Sequence, residues 1–191
     1  MKNIFWFSLV LLTSCSSTND DAISSNQLPS QIPEDAIVQD YISVEGLQRA
    51  IRRSDEKTLA EGDFLNGRHH GSWTTYDANG KVTAITTYLN GEKQGVELTF
   101  DNLGYVSEKA YYHNGVLDGE YLLYKRRSIV ERRNYSNGEL NGKLQKFYAD
   151  GTTMEESSYV DGKIDGVAKW FDQEGNLKIE YTYEMGELID N

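Results

Sequence analysis

The stretch YLNGEKQGVELTFDNLG, residues 88–104, decides the fold. It holds an Asn-Gly pair, a second glycine four residues on and a third nine residues later, with Tyr88 three before the first glycine and Phe100 five after the second. Asn-Gly is the pair that tolerates the positive φ angles a tight hairpin demands. Working outward, the first glycine returns at Gly67, Gly91, Gly115, Gly138, Gly162 and Gly186, in steps of 24, 24, 23, 24 and 24. The second returns at Gly71, Gly95, Gly119, Gly142 and Gly166, and the third at Gly80, Gly104, Gly151 and Gly175, without a member near Ser128. These sets take 15 of the 17 glycines, so the chain is an array of repeats.

Each unit folds back twice. Asn66-Gly67, Asn90-Gly91, Asn114-Gly115, Asn137-Gly138 and Asp161-Gly162 make one turn, and Asn79-Gly80, Asp150-Gly151 and Glu174-Gly175 mark another. Two aromatic columns keep step: Phe64, Tyr88, Tyr112, Tyr135, Tyr159 and Tyr183, and then Tyr76, Phe100, Tyr124, Phe147 and Phe171. Between turns the residues alternate by twos, as Leu177, Ile179, Tyr181 and Tyr183 do against Lys178, Glu180 and Thr182. The expectation is an all-β, elongated and twisted antiparallel meander of about five hairpin units. One face carries the aromatic ladder, and five units span roughly 50 Å at two strands per unit. A lone hairpin is marginal in water, so the units must stack.

The unit Y-x-N-G-x-x-x-G-x-x-x-x-[YF]-x-x-x-G, seen at residues 88–104 and again as YVDGKIDGVAKWFDQEG at 159–175, resembles the MORN-repeat variant. The resemblance covers about two thirds of the chain. It implies a twisted β-hairpin array of a kind found in bacterial lipoproteins and in the group labelled YwqK-type antitoxins. The third unit departs from the pattern, with Arg127-Ser128 in place of the second turn and one residue missing. Upstream, residues 48–64 look like a degenerate leading repeat that turns at Asp55-Glu56, its Arg49, Arg52 and Arg53 charging the edge of the sheet against stray pairing.

Composition agrees with strands and turns: 13 Tyr, 6 Phe and 3 Trp supply much of the 38% hydrophobic share. A net charge of -11 excludes a nucleic-acid binder, which needs surplus Lys and Arg for phosphate contacts, and steers toward cationic partners. Lys2, the apolar run at 4–12 and Leu12-Thr13-Ser14-Cys15 read as a secretory leader, since the run is too short to span a bilayer. The sole cysteine follows a small residue, similar to the lipobox of bacterial lipoproteins. This implies lipidation of Cys15, and with no second cysteine there is no intramolecular disulfide. Ser16 after it, rather than aspartate, resembles outer-membrane sorting, and Asp20-Asp21 is similar to a surface-export tag. The expected organisation is a leader at 1–14, the lipidated cysteine and a flexible tether at 15–40, a leading repeat or cap at 41–64, and the array at 65–191.

Catalytic readings find no support. His69 and His70 fall inside the turn NGRHHG and His113 beside Asn114-Gly115, where turn roles suffice. No nucleophile elbow, P-loop ending or metal-ligand spacing occurs, so no cofactor or metal is expected. Glu108, Glu131, Glu155, Glu156 and Glu180 fall near one column and read as a solvated face. The feature that stands out is KRRSIVERR at 125–133, whose Lys125, Arg126, Arg127, Arg132 and Arg133 surround the missing turn of an acidic protein. With Tyr111, Tyr121 and Tyr148 as stacking anchors, it forms a candidate docking patch for an acidic partner, headgroup or glycan. The reading is a non-enzymatic, membrane-anchored binding or scaffold lipoprotein of the outer membrane with a protein partner. Two rivals are an immunity-type antitoxin against an envelope toxin, which linkage to a toxic neighbour would favour, and a carbohydrate or cell-wall binder, which retention on envelope polymers would favour.

Overall fold

The computed structural model describes residues 29–190. The expected leader, Cys15 and the Asp20-Asp21 pair lie outside the described residues. Within them the chain is all β: β1 (Ala36–Asp40), β2 (Leu47–Ser54), β3 (Lys57–Leu65), β4 (Arg68–Tyr76), β5 (Val82–Leu89), β6 (Glu92–Phe100), β7 (Val106–His113), β8 (Val116–Leu117), β9 (Gly119–Lys125), β10 (Ser128–Ser136), β11 (Glu139–Phe147), β12 (Thr153–Val160), β13 (Lys163–Ile164), β14 (Gly166–Phe171), β15 (Leu177–Glu184) and β16 (Glu187–Asp190). They form one open 16-stranded sheet in which sequence neighbours pair antiparallel. β8 and β13 are the opening residues of the lanes that continue as β9 and β14, so fourteen strands lie abreast over roughly 60 Å.

The two glycines of each unit have separate tasks. Asn90 and Gly91 both take positive φ, 52° and 90°, as the two-residue hairpin between β5 and β6 requires. Gly95, at φ 88°, lies where β6 carries extra residues against β5, between the pairs Tyr88↔Lys93 and Thr86↔Glu97. Such a bulge needs a residue that enters the left-handed region without a steric cost. The tyrosine of the following strand is always registered on this second glycine: Tyr88 on Gly71, Tyr112 on Gly95, Tyr135 on Gly119, Tyr159 on Gly142 and Tyr183 on Gly166. The spacing of aromatics and glycines in the sequence is therefore a cross-strand register.

Register also assigns faces, because cross-strand partners point the same way and successive residues alternate. The rows Trp73–Thr86–Glu97–Ala110 and Tyr121–Arg133–Leu144–Ser157 share one face, which we term the first, with Ala168 opposite Tyr181. Nearly every buried residue is on it, and the burial depends on size contrast. Ala110, Ser157 and Ala168 are 0–2% exposed although the described residues include no second layer. Large side chains beside them, Glu97, Leu144 and Tyr181, shield these small ones. The expected single aromatic ladder is divided. The column of Tyr88 and Tyr112 is on the first face, whereas Tyr76, Phe100, Tyr124, Phe147 and Phe171 each follow a first-face residue by one place and point to the second.

The edge carrying the Asn-Gly turns is stitched by main-chain bonds from one hairpin to the next. Gly91 N donates to His69 O at 2.8 Å, Gly115 N to Lys93 O at 2.9 Å, Gly138 N to Leu117 O at 2.7 Å, Gly162 N to Leu140 O at 2.9 Å and Gly186 N to Ile164 O at 2.8 Å. Turn amides that would otherwise face water are thereby satisfied within the array.

At the amino-terminal end the structure corrects two expectations. Residues 36–40, assigned to the tether, form β1, which pairs along its length with β2. Ahead of it Gln31 N donates to Gly67 O at 2.7 Å, Gln31 Nε2 donates to Gly91 O at 3.3 Å, and Ile32 packs on the cluster of Ala50, Ala60, Phe64 and Trp73. The segment is held by backbone pairing and by one glutamine that caps two turns. The outermost strand is accordingly β1 and not the arginine-bearing β2. Arg49 instead binds Glu61 and Asp63 at 3.0 and 3.3 Å, and Arg52 binds Asp35 at 3.0 Å.

Candidate functional site

The opposite edge carries the second turns, and most of them are built on a carboxylate. The Asp77 carboxylate accepts from Asn79 N and Lys81 N at 2.8 and 2.9 Å, and Asp101 accepts likewise from Leu103 N and Tyr105 N. Asp150 accepts from Thr152 N, and Asp172 from Asn176 N. Donation from the Lys81 amide holds the Asp77 carboxyl below the ordinary carboxylate range, and donation from Thr152 does so for Asp150. Asp172, with the Lys178 ammonium at 2.8 Å, is held down to about 2 by that lysine and by Asn176.

The third unit breaks this rule. β9 and β10 are joined by two residues, Arg126 and Arg127, with φ of 50° and 73°. Ser128, expected in the turn, already pairs with Lys125 as the first residue of β10. The conformation is the one Asn-Gly adopts elsewhere in this chain, here imposed on two arginines. Crowding of Cβ against the backbone costs about 1–2 kcal/mol at each such residue.

The Arg127 guanidinium lies over the Tyr105 ring, 4.1 Å from its centroid, and donates to the Tyr105 hydroxyl at 2.7 Å. Earlier units make the corresponding link with a lysine on a turn carbonyl, Lys57 on Ala78 O and Lys81 on Asn102 O. Shallow depressions open on both sides of the turn. One is bounded by Tyr124, Ile129, Phe147 and Asp150, the other by Lys125, Val130 and Ala149. Among the described residues, no carboxylate forms an ion pair with Lys125, Arg126 or Arg127.

The remaining members of the expected patch are dispersed. Arg133 is on the first face, 2.6 Å from Glu131, with its guanidinium against Tyr121 and Tyr135. Its neighbour Arg132 points to the second face and pairs with Glu120 at 3.1 Å. Tyr121 stands edge-on to Tyr135 at 6.0 Å, and burial together with the Glu108 carboxylate pushes its phenol up to about 12. Tyr111 is on the second face under the Lys109 ammonium, and Tyr148 donates to Phe171 O at 2.8 Å. The three tyrosines do not form one stacking platform. Nor do the glutamates form one solvated column. The side chains of Glu131 and Glu155 are 12% and 14% exposed on the first face, Glu155 bound to Lys146 at 2.9 Å, while Glu156 and Glu180 are on the second. A partner missed by sequence reasoning is Tyr105. Its signal was its position just after the second turn, one and two periods on from Lys81 and Lys57.

The turn histidines also need correction. His69 is in β4, enclosed by Phe64, Trp73 and Tyr88 at centroid distances of 4.4, 4.9 and 4.7 Å, with Gln31 Oε1 at 3.0 Å from its amide nitrogen and 3.3 Å from Nδ1. Burial lowers its pKa from 6.5. A histidine kept neutral in the fold contributes stability above its unfolded pKa and loses it as pH falls through the folded value. Urea midpoints are therefore expected to drop between pH 7 and pH 5.5, with much less drop in His69→Phe. Equal drops in both proteins would remove His69 as the cause. Among the described residues, no three His, Cys, Asp or Glu side chains come together to hold a metal ion.

The family model described as MORN repeat variant matches residues 70–90, 140–161 and 164–185. These are stretches of β4–β5 and β11–β15 that contain the regular Gly71, Gly142 and Gly166 registers. The Arg126–Arg127 turn lies between the first two matches. A comparison with curated proteins returns no match.

Proposed function

We propose that this protein is a non-enzymatic binding or scaffold protein, held at the outer membrane by a lipid on Cys15, that presents its hairpin array to a protein partner. The observation that carries the reading is the open single sheet. Along roughly 60 Å it offers solvent two faces and two turn edges. Extended repeat surfaces suit recognition, because neighbouring units place many side chains in fixed register.

The test is photocrosslinking in cells of the full chain, with a photoreactive residue at exposed Val167 or at Arg126. A discrete protein adduct from either position, together with release of the Cys15→Ser chain from membranes, is the expected result. Absence of any protein adduct at both positions would remove the binding reading, and membrane retention of Cys15→Ser would remove the anchor. If the adduct is a toxin that reaches the envelope, the partner reading narrows to immunity.

A further inference from the structure

We propose that the Arg126–Arg127 turn anchors a docking site for an extended acidic segment of a partner protein. Its guanidinium groups take carboxylates, and the depression between Tyr124 and Phe147 takes an apolar side chain next to them. The inference rests on the binding reading above and names its site and ligand chemistry.

Three independent observations converge on this turn. The first is charge. Along this edge the other turns contain Asp77, Asp101, Asp150 and Asp172, and the cations beside them, Lys57, Lys81 and Lys178, are spent on turn carbonyls or on Asp172, whereas the turn residues of the third unit are themselves two arginines. The second is vacancy of charge partners. Lys125, Arg126 and Arg127 reach no carboxylate among the described residues; Lys57, Lys81 and Arg68 also reach none but donate to turn carbonyls, whereas Arg127 meets only the Tyr105 ring and hydroxyl. The third is conformation. Two arginines occupy left-handed positions that Asn-Gly fills without strain in the same chain, and strain of this kind collects where side-chain chemistry is retained against the local preference of the backbone. Arg127 also lies over Tyr105 and donates to its hydroxyl, which favours one placement of its guanidinium before any ligand arrives.

Spacing favours a narrow ligand over a surface. Successive hairpins on one edge are two strand spacings, about 10 Å, apart. That is about one Debye length at 0.1 M salt, so a flat anionic membrane pressed on this edge meets the repulsion of the neighbouring aspartates. A segment one strand wide meets the cationic turn alone. Asp150 at the rim of the depression disfavours an acidic side chain there and sets the direction in which the segment lies.

The test uses the full chain in neutral phosphatidylcholine nanodiscs and a fluorescein-labelled octapeptide of alternating glutamate and leucine, read by anisotropy. The comparison protein carries Arg126→Asn with Arg127→Gly, the pair that fills the same two-residue conformation in the turns of the opposite edge. The wild type is expected to bind the peptide in a salt-sensitive manner and the double variant about tenfold more weakly. The melting temperature of the variant should be equal or higher, so lost binding is not lost folding. Equal affinity in the two proteins, or no peptide binding by the wild type, overturns the proposal. So does arginine-dependent capture of phosphatidylglycerol vesicles without capture of the peptide, which would reassign the turn to lipid. None of these outcomes touches the crosslinking result, so the wider binding reading stands or falls separately.

Discussion

Phe64→Ala is expected to destabilise the amino-terminal units by about 3–5 kcal/mol, a large part of the stability of an ordinary domain. Phe64 is 0% exposed, with Trp73 edge-on at 5.3 Å, His69 at 4.4 Å, and Ala50, Ala60 and Ile32 around it. A single-layer sheet has little means of closing such a gap, because nothing behind it can move in. The loss should also be local. Each strand pairs only with its neighbours, and past the amino-terminal segment around Gln31 the side-chain links reach no further than the next unit, so energy removed at one end is not withdrawn from the other. Hydrogen exchange read by mass spectrometry should show β2 to β5 losing protection while β12 to β15 keep it. Uniform loss along the array would mean that the sheet unfolds as one body and that the cluster around Phe64 is not a separate core.

The second large effect is expected at Gly62. This glycine belongs to none of the periodic sets and its φ is not positive. What excludes a side chain is the indole of Trp73, since a Cβ on Gly62 would run into the Trp73 ring. Gly62→Ala should therefore cost about 1–3 kcal/mol through overpacking and shift Trp73 emission to the red as the ring is pushed toward water. In a Trp73→Leu background the same substitution should be nearly neutral, giving a coupling of about 1 kcal/mol or more in a double-mutant cycle. Additive effects with unchanged emission would refute the contact as the cause.

Gly62 also marks where sequence reading ended. Fifteen glycines announce themselves by period, and with them the hairpins, the order of strands and the open antiparallel sheet follow from turn chemistry. Of the two left over, Gly46 takes a left-handed φ of 73° outside the period, and Gly62 is explained only by what it touches, Trp73. Faces were illegible for a related reason. Tyr76 and Tyr88 are twelve residues apart, but a turn and a bulge lie between them, and an extra residue at a bulge reverses the parity that counting by twos relies on. Hence one expected ladder became two on opposite faces. Residues 30–40 looked like tether because their order comes from pairing with β2 and from Gln31, neither of which has a compositional signal. The cationic run at 125–133 was legible as a feature and illegible as a site. Alternation sends Arg132 and Arg133 to opposite faces, and an arginine pair is not what one reads as a two-residue turn.

The bonds between successive Asn-Gly turns join peptide groups only, from each turn glycine to a carbonyl one unit earlier. Inheritance can act on such a joint in a way it cannot act on a side-chain joint. When a gene segment encoding one whole period is lost or copied, the two hairpins newly brought together already carry matching donor and acceptor, whatever their other residues have become. Loss or duplication of one regular period is thus expected to leave the stitched edge intact, whereas loss of the third unit would remove an arginine turn that no other unit repeats.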